Sequence, residues 1–191
     1  LPHMLEARAS RKQIRIWSAA CSSGQEPYTL AMILKEEAAK LTGWKVEIIA
    51  TDLSTEILEK AKAGLYSQFE VQRGLPITLL MKYFAHEGEK WRISEEIRKM
   101  VSYRPFNLLE NPSQLGTFDV VFCRNVLIYF DQQTKSQVLS RIAGVMPADG
   151  FLYLGGAETV LGISDSFEVV PGQRGIYRLG DNSQSLDLKA G

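Results

Sequence analysis

Apolar and polar positions along the chain switch between a period near two and one near 3.6, and the switches mark out strands and helices. Ile14 and Ile16, with Trp17 on the other face, predict a short strand that runs into small residues and Gly24. Leu30, Ile33, Leu34, Ala38 and Leu41 then recur at helical spacing opposite Lys35, Glu36, Glu37 and Lys40, predicting an amphipathic helix that ends near Gly43. Residues 46–51 form an apolar run ending in Asp52. Ser54 can cap a helix carrying Ile57, Leu58 and Ala61, which Gly64 terminates. Further strands are expected at 101–105, at 118–123 and at 151–154. The second of these is nearly all apolar, as in a central strand covered on both faces. Between the last two, Asp131 can cap a helix with Val138, Ile142 and Val145 on one stripe, and Pro147-Ala148-Asp149-Gly150 makes a turn. Residues 167–170 and 175–179 read as a terminal hairpin.

The rhythm breaks between residues 66 and 100. A helix is expected at 76–84, a turn at His86-Glu87-Gly88-Glu89, a short strand at 91–93 and a small helix at 94–100. Such an insert exceeds an ordinary connection and either recognises substrate or is a passive excursion. Trp91 belongs either to a docking edge or to the insert's own core. The expected organisation is a linker or the end of a helical domain over residues 1–13, one α/β domain over 14–180 with the insert inside it, and a flexible polar tail over 181–191. The sheet is expected to be doubly wound and mostly parallel, with a C-terminal antiparallel hairpin.

Lys and Arg total 22 and Asp and Glu total 22, so no net field favours nucleic acid or anionic lipid. No apolar run is long enough to span a bilayer, and direct membrane insertion is not expected. Cys21 and Cys123 lack metal-ligand spacing and read as small packing residues in a reducing compartment, which makes the cytoplasm the expected location and a metal site unexpected.

Three predicted strands end in polar residues that a parallel sheet would bring side by side: Gly24 and Glu26 after the first, Asp52 after the second, Asn125 after the fourth. Pro27 fits the first helical position, and Glu26 beside it complements the helix dipole. Asp52, about 28 residues beyond Gly24, is placed to accept hydrogen bonds from a ribose diol. A nicotinamide dinucleotide needs several glycines near its pyrophosphate, whereas this loop offers one glycine and an acid that would repel phosphate. A cationic, phosphate-free nucleoside fits better, and S-adenosylmethionine has that chemistry, so methyl transfer is the favoured reaction class over a nicotinamide-linked oxidoreductase. Plainer roles stand beside these: Asp52 as a helix cap, Glu26 as a dipole partner, Asn125 as a loop stabiliser, Tyr129 as a core residue in an apolar run.

The stretches SAACSSGQEPYTLAM, TDLSTEILEKAKAGLY, FNLL, FDVVFCRNVLIYFD and LGGAETV together resemble the chemotaxis receptor methyltransferases of the CheR type over nearly the whole chain. The resemblance implies a Rossmann-like class I methyltransferase domain with a small β-containing subdomain inserted. It implies S-adenosylmethionine as cofactor, S-adenosylhomocysteine as product, and methyl esterification of glutamates on the cytoplasmic domains of chemoreceptors. Carried onto this chain, it puts Glu26 at the methionine or ribose part of the cofactor, Asp52 at the ribose hydroxyls, Asn107 and Leu108 by the adenine, and Arg124 and Asn125 beside the methyl donor. Ala20, Gly24 and Leu53 complete the expected cofactor contacts, and Tyr129 matches the family's active-site tyrosine. The family also carries a preceding helical segment that supplies an arginine to the active site, and no match to it is found in this sequence. The alternative implied by that difference is a module that binds S-adenosylmethionine or S-adenosylhomocysteine without turnover.

Overall fold

A computed structural model describes residues 1–181. The elements are α1 (Pro2–Ala7), β1 (Gln13–Ala19), α2 (Gln25–Glu36), β2 (Lys45–Asp52), α3 (Thr55–Ala63), β3 (Leu65–Ser67), α4 (Gln68–Gln72), α5 (Ile77–Tyr83), β4 (Phe84–Glu87), β5 (Lys90–Ile93), α6 (Glu95–Arg98), β6 (Val101–Pro105), β7 (Val120–Cys123), α7 (Gln132–Ala143), β8 (Phe151–Leu154), β9 (Phe167–Val169) and β10 (Ile176–Leu179). Residues 182–191, most of the expected tail, lie outside the described residues.

Seven strands form one sheet in the order β6-β2-β1-β7-β8-β10-β9. Pairing is parallel from β6 to β8, and β10 runs antiparallel to both β8 and β9. The strand order therefore reverses at β1, with β2 on one side and β7 on the other. In an open α/β sheet this switch point leaves a crevice at the carboxyl ends of the strands.

Alternation along β1 sorts the core into two faces, as the period of two requires. Ile14 and Ile16 join Ile48, Ala50, Met32 and Leu58 on one face. Trp17 and Ala19 point the other way, where Trp17 stacks on Phe118 and packs with Leu127, Leu139 and Ile142. The Trp17 indole N–H donates to the Thr51 hydroxyl at 2.9 Å, so this large buried ring leaves no polar atom unpaired. Ser54 caps α3, Gly64 ends it in the left-handed region, and Asp131 caps α7 through the Thr134 N–H, each at the expected position.

Four details depart from the periodic reading. Helix α2 stops at Glu36 and not near Gly43; residues 37–43 continue as successive tight turns, because the chain must bend back to start β2, where the Lys45 N–H meets the Lys12 carbonyl. Pro27 is the third helical residue, Gly24 being the N-cap, and there its missing N–H is still one that no helical carbonyl could reach. His86 and Glu87 belong to β4 and not to a turn: they pair with Trp91 and Lys90 across Gly88, and the His86 ring lies against Trp91. Finally, β7 begins at Val120, and only Val121 and Cys123 are fully buried; Val120 and Phe122 are half-buried along an apolar groove with Ile14, Ile33 and Tyr153.

The insert forms its own antiparallel sheet, β3-β5-β4, flanked by α4, α5 and α6. Trp91 is buried and its indole N–H donates to Gln68, and Tyr66, Tyr83, Ile93 and Ile97 merge with the core under α2. Trp91 is thus a packing residue. The Tyr66 hydroxyl donates to the Ser23 carbonyl at 2.7 Å, so the insert holds the loop that follows β1.

At the opposite end of the sheet, Asp119 collects the Arg8 guanidinium at 2.7 Å, the Arg11 guanidinium and the Arg15 backbone N–H at 2.8 Å. Arg8 also makes two bonds to Asp149, and that pairing raises its pKa and holds Asp149 below the usual carboxylate range. The Asp119 side chain is 3% exposed, so truncating it strands buried charge. Asp119→Ala is expected to cost about 3–5 kcal/mol in urea unfolding. Asp149→Ala, at a side chain 46% exposed, is expected to cost clearly less.

Candidate functional site

The carboxyl ends of β1, β2 and β7 and the segment after β6 enclose a cavity of about 450 Å³. Asp52 and Leu53 line it from β2, Phe106, Asn107, Leu108 and Leu109 from the β6 side. Ala20 and Ser22 line it from β1, and Asn125, Val126, Tyr129 and Phe130 from β7. Of the residues expected from sequence, Ala20, Asp52, Leu53, Asn107, Leu108, Asn125 and Tyr129 therefore meet at one place. Tyr129 is 78% exposed at the end of a 3-10 turn, Leu127–Tyr129, which excludes the core-packing alternative for its ring.

Gly24 and Glu26 are not among the lining residues. Gly24 sits at φ +93°, and a Cβ there would come within 2.6 Å of the Tyr103 hydroxyl on β6 and 3.0 Å of Ala61 on α3, so neighbouring side chains leave no room for a larger residue. Glu26 accepts the Ser18 hydroxyl at 2.7 Å and lies 3.6 Å from the Arg124 guanidinium. Its burial raises its pKa, against the lowering effect of the Ser18 hydroxyl and Arg124. Arg124 borders a second, larger cavity of about 860 Å³ over Gly155, Glu158, Leu161 and Arg174.

Asp52 is more than a cap. One carboxylate oxygen accepts the Ser54 N–H at 3.0 Å and the other the Ser22 N–H at 2.9 Å, so it ties the loop after β1 to the loop after β2. Each oxygen keeps a second lone pair for another donor. Asn107 accepts the Leu109 N–H at 3.0 Å, shaping the loop after β6. Among the described residues, the non-glycine positions with positive φ are Lys12, Ala20, Ser22 and Asn125, and the last three all line this cavity. Backbone held in sparsely populated regions collects where a site over-determines it.

Sequence reasoning passed over Ser22, Phe106, Leu109, Val126 and Phe130 in the wall of this cavity, and Glu158 beside the larger one. Ser22 takes part through its backbone N–H, which has no side-chain signature. Glu158 accepts the N–H groups of Asn125 at 2.6 Å, Val126 at 3.1 Å, Leu127 at 2.7 Å and Gly155 at 2.8 Å. Its sequence signal was its place in the LGGAETV stretch, an acid among small residues after an apolar run. Both cysteines are buried and free, and burial pushes the Cys21 thiol up to about 12, with Asp52 adding to the effect, so neither is poised as a nucleophile.

The donor set fits a nucleoside that carries a ribose and positive charge: a carboxylate at the second strand end, apolar walls at Phe106 and Leu108, and a loop after β1 without a run of glycines. Fold and crevice together define a Rossmann-like methyltransferase domain. A family model described as "CheR methyltransferase, SAM binding domain" matches residues 1–176, and the chain belongs to that family, SAM being S-adenosylmethionine. The chain is similar to "Chemotaxis protein methyltransferase 1" of Pseudomonas aeruginosa, 44% identical over 183 residues that make up 93% of this chain and 66% of the relative. It is 42% identical over 178 residues to "Chemotaxis protein methyltransferase 1" of Vibrio cholerae, covering 91% of this chain and 65% of that one. The chain thus spans just under two thirds of the length of these relatives. Among solved structures, a TehB-like SAM-dependent methyltransferase from Corynebacterium glutamicum shares the fold at a TM-score of 0.50 and 15% identity, over 93% of this chain and 83% of that one. Among the described residues no helix is long and apolar enough to cross a membrane.

The raised pKa of Glu26 has a measurable sign. Its protonated form is favoured in the folded state, so folding binds a proton and stability falls as pH rises from the unfolded value of about 4.3 through the folded one. Glu26→Gln lacks that slope. Its Tm is expected to gain on the parent as pH is raised from about 4 to about 7, with the gap closing at the acid end.

Proposed function

We propose that this domain binds S-adenosylmethionine across the ends of β1, β2 and β7 and that the protein methyl-esterifies glutamate side chains on the cytoplasmic domains of chemoreceptors. The observation that carries the reading is the convergence of Asp52, Asn107-Leu108 and Asn125-Tyr129 on one cavity at the switch point of the sheet. Family membership supports the cofactor, and the names of the relatives support the substrate class.

In this reading Asp52 accepts the ribose hydroxyls, Ala20 and Leu53 flank them, and Phe106 and Leu108 give the adenine an apolar seat beside Asn107. Arg124 and Asn125 stand next to the methyl donor. Glu26 offers negative charge toward the cationic part of the cofactor and is kept in place by Ser18 and Arg124. Bound there, the cofactor supplies an electrophilic methyl group on a sulfonium. A substrate glutamate is ionised at neutral pH, with a reference pKa of about 4.3, so no base has to remove a proton. What the chain contributes is alignment and exclusion of water. Tyr129, exposed at the rim, donates its hydroxyl to one carboxylate oxygen and leaves the other in line with the methyl group.

The test is calorimetry with S-adenosylhomocysteine and with NAD, followed by radiolabelled methyl transfer to a receptor cytoplasmic fragment by the full-length protein. Asp52→Ala is expected to weaken S-adenosylhomocysteine about 10-fold or more, as loss of a hydrogen bond to a charged group implies. Tyr129→Phe is expected to lower kcat about 10- to 100-fold with affinity for S-adenosylhomocysteine kept within about twofold. NAD binding in place of S-adenosylhomocysteine would end the reading.

A further inference from the structure

Glu158 is buried, it borders the larger cavity and not the one around Asp52, and yet it is the most heavily hydrogen-bonded side chain near either. Its four partners are backbone N–H groups, and three of them are consecutive: Asn125, Val126 and Leu127. Strand β7 ends at Cys123, and the 3-10 turn begins at Leu127, so these N–H groups have neither a sheet partner nor a helical one. Left unpaired inside the protein, each would carry a desolvation cost. An ionised carboxylate, with two oxygens and about four acceptor sites, can satisfy all of them together, and charge strengthens each bond.

The fourth partner, the Gly155 N–H, closes the unit. A Cβ at Gly155 would lie 2.6 Å from a Glu158 carboxylate oxygen and would collide with the side-chain oxygen of Asn125. Asn125 is therefore wedged between the end of β8 and its own left-handed backbone at φ +59°. Two ends of this short segment matter to the reaction proposed above: Asn125 faces the cofactor cavity, and Tyr129 stands at its rim. The carboxylate binds the stretch between them.

We infer that Glu158 is a positioning residue for methyl transfer, clamping residues 125–127 so that Asn125 meets the cofactor and Tyr129 meets the substrate carboxylate. The inference rests on the cofactor reading of the Asp52 cavity. A residue that only stabilised the loop would lower the melting temperature and leave the kinetics of the folded enzyme alone. A residue acting through Asn125 and Tyr129 would change binding and turnover at temperatures where the fold is intact.

The experiment uses full-length protein, wild type, Glu158→Gln, Gly155→Ala, Tyr129→Phe and the Glu158→Gln/Tyr129→Phe pair. Affinity for S-adenosylhomocysteine, kcat and KM for a receptor fragment, and the melting temperature are measured for each. Glu158→Gln keeps the shape but turns an NH₂ group toward backbone donors; it is expected to weaken S-adenosylhomocysteine and to lower kcat by about 10-fold or more each. In the Tyr129→Phe background the same change is expected to cost little further kcat, the non-additivity of two residues in one unit. Amide resonances of Asn125, Val126, Leu127 and Gly155 should move together in Glu158→Gln. A folded Glu158→Gln that melts lower but keeps affinity, kcat and KM within about twofold overturns the inference, as do fully additive losses in the double variant. If Glu158→Gln does not fold, Gly155→Ala decides by the same readouts, since its Cβ crowds Asn125 and the Glu158 carboxylate together and disturbs the clamp without removing either group. Wild-type protein that binds no S-adenosylhomocysteine sinks the cofactor reading, and this inference with it, a result visible before any variant is made.

Discussion

Strand β1 is held on both edges by parallel neighbours, and the rest of the molecule is arranged around that constraint. Its whole length, Gln13 to Ala19, is in register with β2, and its centre with β7. Parallel pairing on both sides puts three carboxyl ends at one level and sends each outgoing chain away from the sheet. The backbone just beyond those ends has lost its ladder and must find other partners. Cys21 finds the Thr51 carbonyl, Ser22 finds Asp52, and Asn125 finds Glu158. The crevice is the space those solutions leave between them.

Three carboxylates near this crevice sit in two kinds of surroundings. Asp52 and Glu158 receive backbone N–H groups and fix loops, whereas Glu26 is half-buried beside a hydroxyl and a half-exposed guanidinium, and desolvation raises its pKa. A carboxylate with few donors around it keeps acceptor capacity to spare. The insert takes part from the other side, Tyr66 holding the Ser23 carbonyl, while Tyr103 of β6 and Ala61 of α3 leave room at Gly24 for hydrogen only.

Much of this was legible in the residues. Opposed burial of Ile16 and Trp17, the caps at Ser54 and Asp131, the stop at Gly64 and the strand at 101–105 all rest on local chemistry, and local chemistry is what a sequence displays. The misses have a common cause in tertiary structure. His86 and Glu87 are strand residues only because Trp91 and Lys90 lie opposite them, and as exposed polar positions they carry no alternation of their own. The end of α2 is decided by where β2 must begin. The side chains that close on Gly24, Tyr103, Ala61 and Tyr66, come from elements far along the chain, so that crowding has no local signature. The reach of Glu158 to residues 125–127 joins segments that only the pairing of β7 with β8 makes adjacent.

Reversal of β10 carries a consequence of its own. Since β9 runs in the same sense as β8 with β10 between them, the chain after Leu154 must leave the top of the sheet, travel back and re-enter at Phe167. In an all-parallel arrangement a helix packed on the sheet would make that journey, and its sequence would answer to the core along its full length. Here residues 155–166 make it as turns and bends. Packing therefore holds the connection only at points, where Gly155 and Glu158 touch β7's outgoing loop and where Val160 and Ile163 meet the core, and leaves exposed positions such as Leu161 free of it. Descendants of this fold can rewrite such exposed positions, and through Leu161 one part of the larger cavity's wall, at little cost to folding.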